Sequence, residues 1–145
     1  MDPDNIVVRL CVQGVEAEAA YRHEEARALF ETAWRSSRDD LEACIAAHYI
    51  ARQQPDPETA LFWNQLALAR ADSVARKAPE RVRGFYATLH LNLGMAHEKL
   101  GQIAHARHHF VKAAAALEDI TEGGHRVLVE YSVNRGLERT ASYSS

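Results

Sequence analysis

Ala26 and Ala60 lie 34 positions apart, and each belongs to a stretch in which small residues fall at matching places. The first stretch reads Gly14, Ala26, Phe30 and Ala33, and the second reads Ala60, Asn64 and Ala67. A third and cleaner copy reads Leu93, Gly94, Gly101, Ala106, Phe110 and Ala113. Small side chains let two helix backbones approach closely, and an aromatic four residues after the alanine packs beside them. A period of this length describes antiparallel helix pairs stacked one on the next.

The 145 residues amount to one domain. A compact domain of this size hides roughly 70% of the surface its unfolded chain exposes, so a self-sufficient core is available. A formal net charge of −3 argues against a general nucleic-acid binder, which needs a dominant basic field. There is no long apolar run for a membrane span and no charged-then-apolar leader. The two cysteines, Cys11 and Cys44, sit inside helical patterns without a CxxC arrangement, which points to a reducing, cytoplasmic setting.

Seven helices and no strand follow from the pattern, an all-α chain. Asp4 or Asn5 caps the first, which carries Ile6, Val7, Leu10 and Gly14. The second runs from about His23, and Asp39 and Asp40 precede the third. Asp56 caps the fourth and Pro57 suits its first turn, where a missing N–H costs nothing. Pro79 marks the next start by the same logic, Gly101 the stop, and Ile103 to about Glu118 the partner helix. Gly123 and Gly124 break the chain before a last amphipathic helix that ends near Arg139. The expected organisation is one domain over 1–140, with pairs at about 5–36, 40–77 and 79–118 and a capping helix at about 124–139. Residues 140–145 form a flexible tail.

The third copy is out of step. Ala60 and Ala106 are 46 residues apart, 12 more than the period, and the excess has no loop-like composition. Lengthening two helices by about a turn and a half each would absorb it, leaving a projecting hairpin. The second copy departs at two further places, with His48 standing where Gly14 and Gly94 fall and Asn64 where Phe30 and Phe110 fall.

On these residues the chain resembles the tetratricopeptide repeat family, as a small stand-alone member with about three helix pairs. The resemblance implies an antiparallel helix-pair solenoid with a C-terminal capping helix, and a concave groove lined by the first helix of each pair. Matched to the family's groove positions, the residues are Val8, Cys11, Val15 and Glu18, then Ile45, Tyr49 and Arg52, then Thr88, Leu91, Met95 and Glu98. Family members that clamp a peptide carboxylate carry lysine and asparagine there; Val15 and Met95 stand where an asparagine or similar donor is expected, so that mode is absent. The groove is mainly apolar, with Tyr49 and Arg52 as polar handles. Such a groove takes an amphipathic helix or a flat small molecule, or is filled by the chain's own last helix.

Three other constellations admit either a chemical or a plain structural role. His105 and His109 share a helix face at i and i+4, a spacing that suits a transition metal, but no further ligand stands nearby, so an outer helix face is expected. Cys44 and His48 have the same spacing, the start of a nucleophile–base pair; without an orienting group or oxyanion donors, a packed cysteine is expected. Arg70, Arg76, Lys77, Arg81 and Arg83 beside Phe85 and Tyr86 form either an anion-recognising patch or a solvated turn.

The resulting expectation is a non-catalytic adaptor or regulatory module that binds a protein or peptide partner through Ile45, Tyr49, Arg52, Leu91, Met95 and Glu98. The alternative is a small-molecule (metabolite) binder using the same apolar groove. No cofactor, metal, nucleic acid or membrane is expected, and a homodimer is compatible with the sequence.

Overall fold

A computed structural model describes residues 2–142, and the secondary structure there is all helical. The α-helices are α1 (Ile6–Ala19), α2 (His23–Arg35), α3 (Asp40–Arg52), α4 (Pro57–Ala75), α5 (Tyr86–Lys99), α6 (Ile103–Ala115) and α7 (Gly123–Arg139). Their starts follow local chemistry. The Asn5 side-chain oxygen accepts from the amides of Val7 and Val8 at 2.9 and 3.1 Å, and that of Asp39 from Glu42 at 2.9 Å. Asp56 accepts from the Glu58 amide, with Pro57 in the first turn. Each bond satisfies a helix-end donor that has no partner within the helix.

Gly101, at φ 75°, ends the turn after α5 in the left-handed conformation that glycine adopts without cost. Tyr21 occupies the corresponding place after α1 at φ 61°.

Helix α1 packs on α2, α3 on α4 and α5 on α6. Three core clusters result. Val7, Cys11, Phe30, Ala46 and Ile50 join α1, α2 and α3. Leu41, Cys44, Ala67, Ala71 and Leu89 join α3, α4 and α5, and Leu91, Ala106, Phe110, Val129 and Val133 join α5, α6 and α7.

The connection between α4 and α5 differs from expectation. Helix α4 has 19 residues where α2 and α6 have 13, so part of the excess does extend a helix. The rest does not: Pro79–Arg81 and Arg83–Phe85 form two short 3-10 turns, and α5 starts only at Tyr86. No long hairpin projects, because Val82 is fully buried against Leu41, Cys44, Ala71 and Leu89 and draws the segment onto the body. Gly123 and Gly124 also differ, being the first residues of α7 rather than a break before it. Thr140 is buried, not part of a loose tail. Its hydroxyl donates to the Gly136 carbonyl at 2.8 Å and lies 3.4 Å from the Arg107 guanidinium. Residues 143–145 of the expected tail lie outside the described residues.

Helix α7 packs on both α5 and α6, as α3 packs on both α1 and α2. Its buried Val129, Val133 and Gly136 face that way, while Val127, Leu128 and Tyr131 are exposed.

Candidate functional site

The two outer junctions between helix pairs are built alike. A Cβ on Gly14 would clash with the Phe30 ring, and a Cβ on Gly94 would lie 2.6 Å from the Phe110 ring, so each glycine admits its aromatic. Phe30 then stacks on Tyr49 of α3 at 5.3 Å between centroids, and Phe110 packs on Gly136 of α7. Glu18 of α1 accepts a hydrogen bond from Arg52 of α3 at 2.7 Å. Glu98 of α5, four residues after Gly94 as Glu18 is after Gly14, accepts two from Arg139 of α7 at 2.8 and 2.9 Å.

The middle junction, where α5 meets α3 and α4, lacks these parts. Asn64 replaces the aromatic, and Arg52 and Glu98 are each bonded outward, away from the junction. Whereas α1 packs on α3 and α5 on α7, α3 and α5 touch little. A side-chain hydrogen bond crosses between them: the Asn92 amide nitrogen of α5 lies 3.3 Å from His48 Nδ1 of α3. As an amide nitrogen only donates, His48 accepts there and carries its proton on Nε2.

A cavity of about 490 Å³ opens in this gap. Ile45, Phe85, Leu89 and Ile120 give it apolar walls; His48, Tyr49 and Thr88 give it polar groups, with His125 of α7 at the edge, its Nε2 3.3 Å from the Thr88 hydroxyl. Burial holds the His48 pKa down to about 4, reinforced by Arg52 and His125, so the imidazole is neutral at physiological pH. Burial also pushes the Cys44 thiol up to about 12, with Asp72 adding to it, which leaves no thiolate for attack. Beyond the His48–Asn92 link lies a second pocket of about 180 Å³, lined by Arg52, Asn64, Met95 and Lys99 among others. Successive turns of α3 and α5 contribute to the lining of both spaces.

The sequence-derived site residues divide accordingly. Ile45 and Tyr49 reach the large cavity, and Arg52 and Met95 the second pocket. Arg52 is not a free handle: it pairs with Glu18 and its guanidinium carbon sits 5.1 Å over the Tyr49 ring. Leu91 is not on the groove, because α7 covers it together with Val129 and Val133. Glu98 is committed to Arg139. Thus α7 seals the third pair and leaves the cleft between α3 and α5 open. Residues the sequence did not single out include Asn92, Leu89, Ile120 and His125.

The histidines form an unexpected array. His90 stacks on His109 at 5.2 Å, His109 on His97 at 5.3 Å and His97 on His105 at 5.2 Å, with Tyr86 beyond His90. The Nδ1 atoms of His90 and His109 are 3.0 Å apart. His109 therefore faces α5 rather than an outer surface. Burial, then the neighbouring His90, His97, His108 and Lys112, hold its pKa down to about 4. Among the described residues no group of three or more His, Cys, Asp or Glu side chains is arranged to hold a metal ion, and no helix is long and apolar enough to cross a membrane. Arg70 of the basic segment pairs with Asp40 at 2.8 Å and lies over Trp34.

Compared with protein-family models, curated proteins and solved structures, the chain matches none.

Proposed function

We propose that the protein is a non-catalytic binding module of tetratricopeptide-like helix pairs that holds a peptide segment of a partner protein in the cleft between α3 and α5. The observation that carries this reading is the cavity at the one junction where first helices part. It lies within the roughly 300–1,000 Å³ range of ligand sites, with apolar walls and a few convergent polar groups. The alike Gly14–Phe30 and Gly94–Phe110 contacts support the helix-pair repeat, and the second pocket further along the same two helices favours an elongated occupant. The neutral thiol of Cys44 beside a neutral His48 favours binding over nucleophilic chemistry. Two buried free thiols fit a reducing, cytoplasmic setting.

The test is panning of a phage-displayed random dodecapeptide library on the wild type and on Ile45→Trp and Leu89→Trp, which fill the cavity. Peptides selected on the wild type should lose at least tenfold in affinity for both variants. Equal affinity for the folded variants would place the site elsewhere. A compact metabolite is the second reading, favoured by the half-enclosed shape of the cavity. It predicts thermal stabilisation by small molecules with no peptide enriched.

A further inference from the structure

His48 stands in α3 where Gly14 and Gly94 stand in α1 and α5, and the two nitrogens of its ring have different surroundings. Nδ1 accepts from the Asn92 amide at 3.3 Å, which leaves the proton on Nε2. Asn92 borders the 180 Å³ pocket and not the large cavity, whereas His48 borders the cavity and not the pocket. The Asn92 bond therefore ties the ring from its far side. Nε2 has no hydrogen-bond partner among the described residues. The one side-chain nitrogen or oxygen there that is both buried and unpartnered is Asn64 Oδ1, so Nε2 keeps surface that an occupant can reach. Once an occupant displaces water, that donor is costly unless an acceptor meets it.

We infer that His48 Nε2–H selects the occupant of the cavity by donating to a neutral amide carbonyl of the bound peptide, with Asn92 as the positioning residue that fixes the tautomer. The inference rests on the peptide-binding reading above. The lining narrows the acceptor. Asp119 and Glu122 border the cavity and no lysine or arginine does, so a carboxylate would lose water there without meeting a cation. The imidazole does not become one, being neutral down to about pH 4. Arg52 does not serve either, since it pairs with Glu18 and borders the pocket instead. An ammonium or guanidinium has no lone pair to offer Nε2–H. Tyr49 borders the same cavity with a hydroxyl that likewise lacks a partner and keeps accessible surface. A carbonyl oxygen has two lone pairs and no proton of its own to place, which suits two donors. A peptide brings that oxygen from its main chain or from an asparagine or glutamine side chain.

The experiment is NMR of the full-length protein with nitrogen-labelled histidine at pH 8, free and with peptides panned on the wild type. Free His48 should carry its proton on Nε2 with Nδ1 bare, and peptide binding should move the Nε2 proton downfield. Asn92→Asp offers Nδ1 a carboxylate and should invert the tautomer, so that Nε2 turns from donor to acceptor. Selected peptides should then bind about tenfold more weakly, and equally so to His48→Phe, which keeps a ring and removes the donor. The wild-type spectra carry the test should either variant not fold.

Two peptide series locate the carbonyl. Loss on replacing a shared asparagine or glutamine by alanine assigns it to the side chain, and loss on replacing one peptide bond by an ester assigns it to the main chain. A proton on Nδ1 in the free wild type, or cavity amides that shift on binding while the Nε2 proton stays unmoved, would overturn the inference and leave the cleft standing. Enrichment of no peptide, or selected peptides that bind Ile45→Trp and Leu89→Trp unweakened, would overturn the cleft reading and this inference with it.

Discussion

The ring of Phe110 lies against the backbone of Gly136, so that a Cβ built there would come within 2.7 Å of it. Gly94 makes the same approach at 2.6 Å, and the ring is thereby held between α5 and α7. Adding a methyl at either position overpacks a site with no slack. Gly136→Ala and Gly94→Ala should each cost about 1–3 kcal/mol, outweighing the gain in helix propensity. Gly124→Ala has open space around its Cβ and lies in the first turn of α7, so it should stabilise by about 0.5–1 kcal/mol. Urea unfolding midpoints distinguish the two signs.

Tyr21 holds a left-handed backbone at φ 61° where Gly101 serves after α5. Its side chain is 85% exposed and contributes no core packing, so the strain is not offset by burial. Tyr21→Gly should therefore stabilise the protein by about 1 kcal/mol, less than the full strain because glycine also loosens the unfolded chain. Gly101→Ala should destabilise by a similar amount. Thermal melts of the pair check both.

The stacked imidazoles make stability depend on pH in a defined direction. His109 is held down to about 4 and His90 is also lowered, first by burial, with Lys112 and His108 adding to it. Facing them are Tyr86, His97 and His105, and Asp72 acts on His90 in the opposite sense. The unfolded chain takes up protons near pH 6.5 that the folded chain refuses until about pH 4. Stability from this source is full above about pH 6.5 and is lost as pH falls toward 4. Urea midpoints measured from pH 8 to pH 5 should decline below about pH 6.5, and the decline should be shallower in His109→Gln.

Helix starts were legible in the sequence because capping is local: Asn5, Asp39 and Asp56 with Pro57 each act on amides within three residues. The Gly–Phe pairs were legible as spacing, and Gly94 does meet the Phe110 ring as Gly14 meets that of Phe30. The path of residues 79–85 was not, since it depends on Val82 meeting Leu41 and Ala71, more than ten residues away in the chain. For the same reason Leu91 read as groove surface: nothing near it in sequence shows that α7 covers it. His48 and Asn64 were visible as departures from the pattern, and the extra residues before α5 as a broken period. That these coincide at one under-packed junction is a tertiary fact.

The proposed function puts the partner in the cleft between α3 and α5. Its most direct test is an amide chemical-shift titration of the labelled protein with a peptide selected on the wild type. The largest shifts should fall on Ile45, His48, Tyr49, Thr88, Leu89 and His125, with the exposed faces of α2 and α6 unmoved. Shifts confined instead to the segment from Arg76 to Arg83, or to the exposed Leu128 and Tyr131 face of α7, would contradict it.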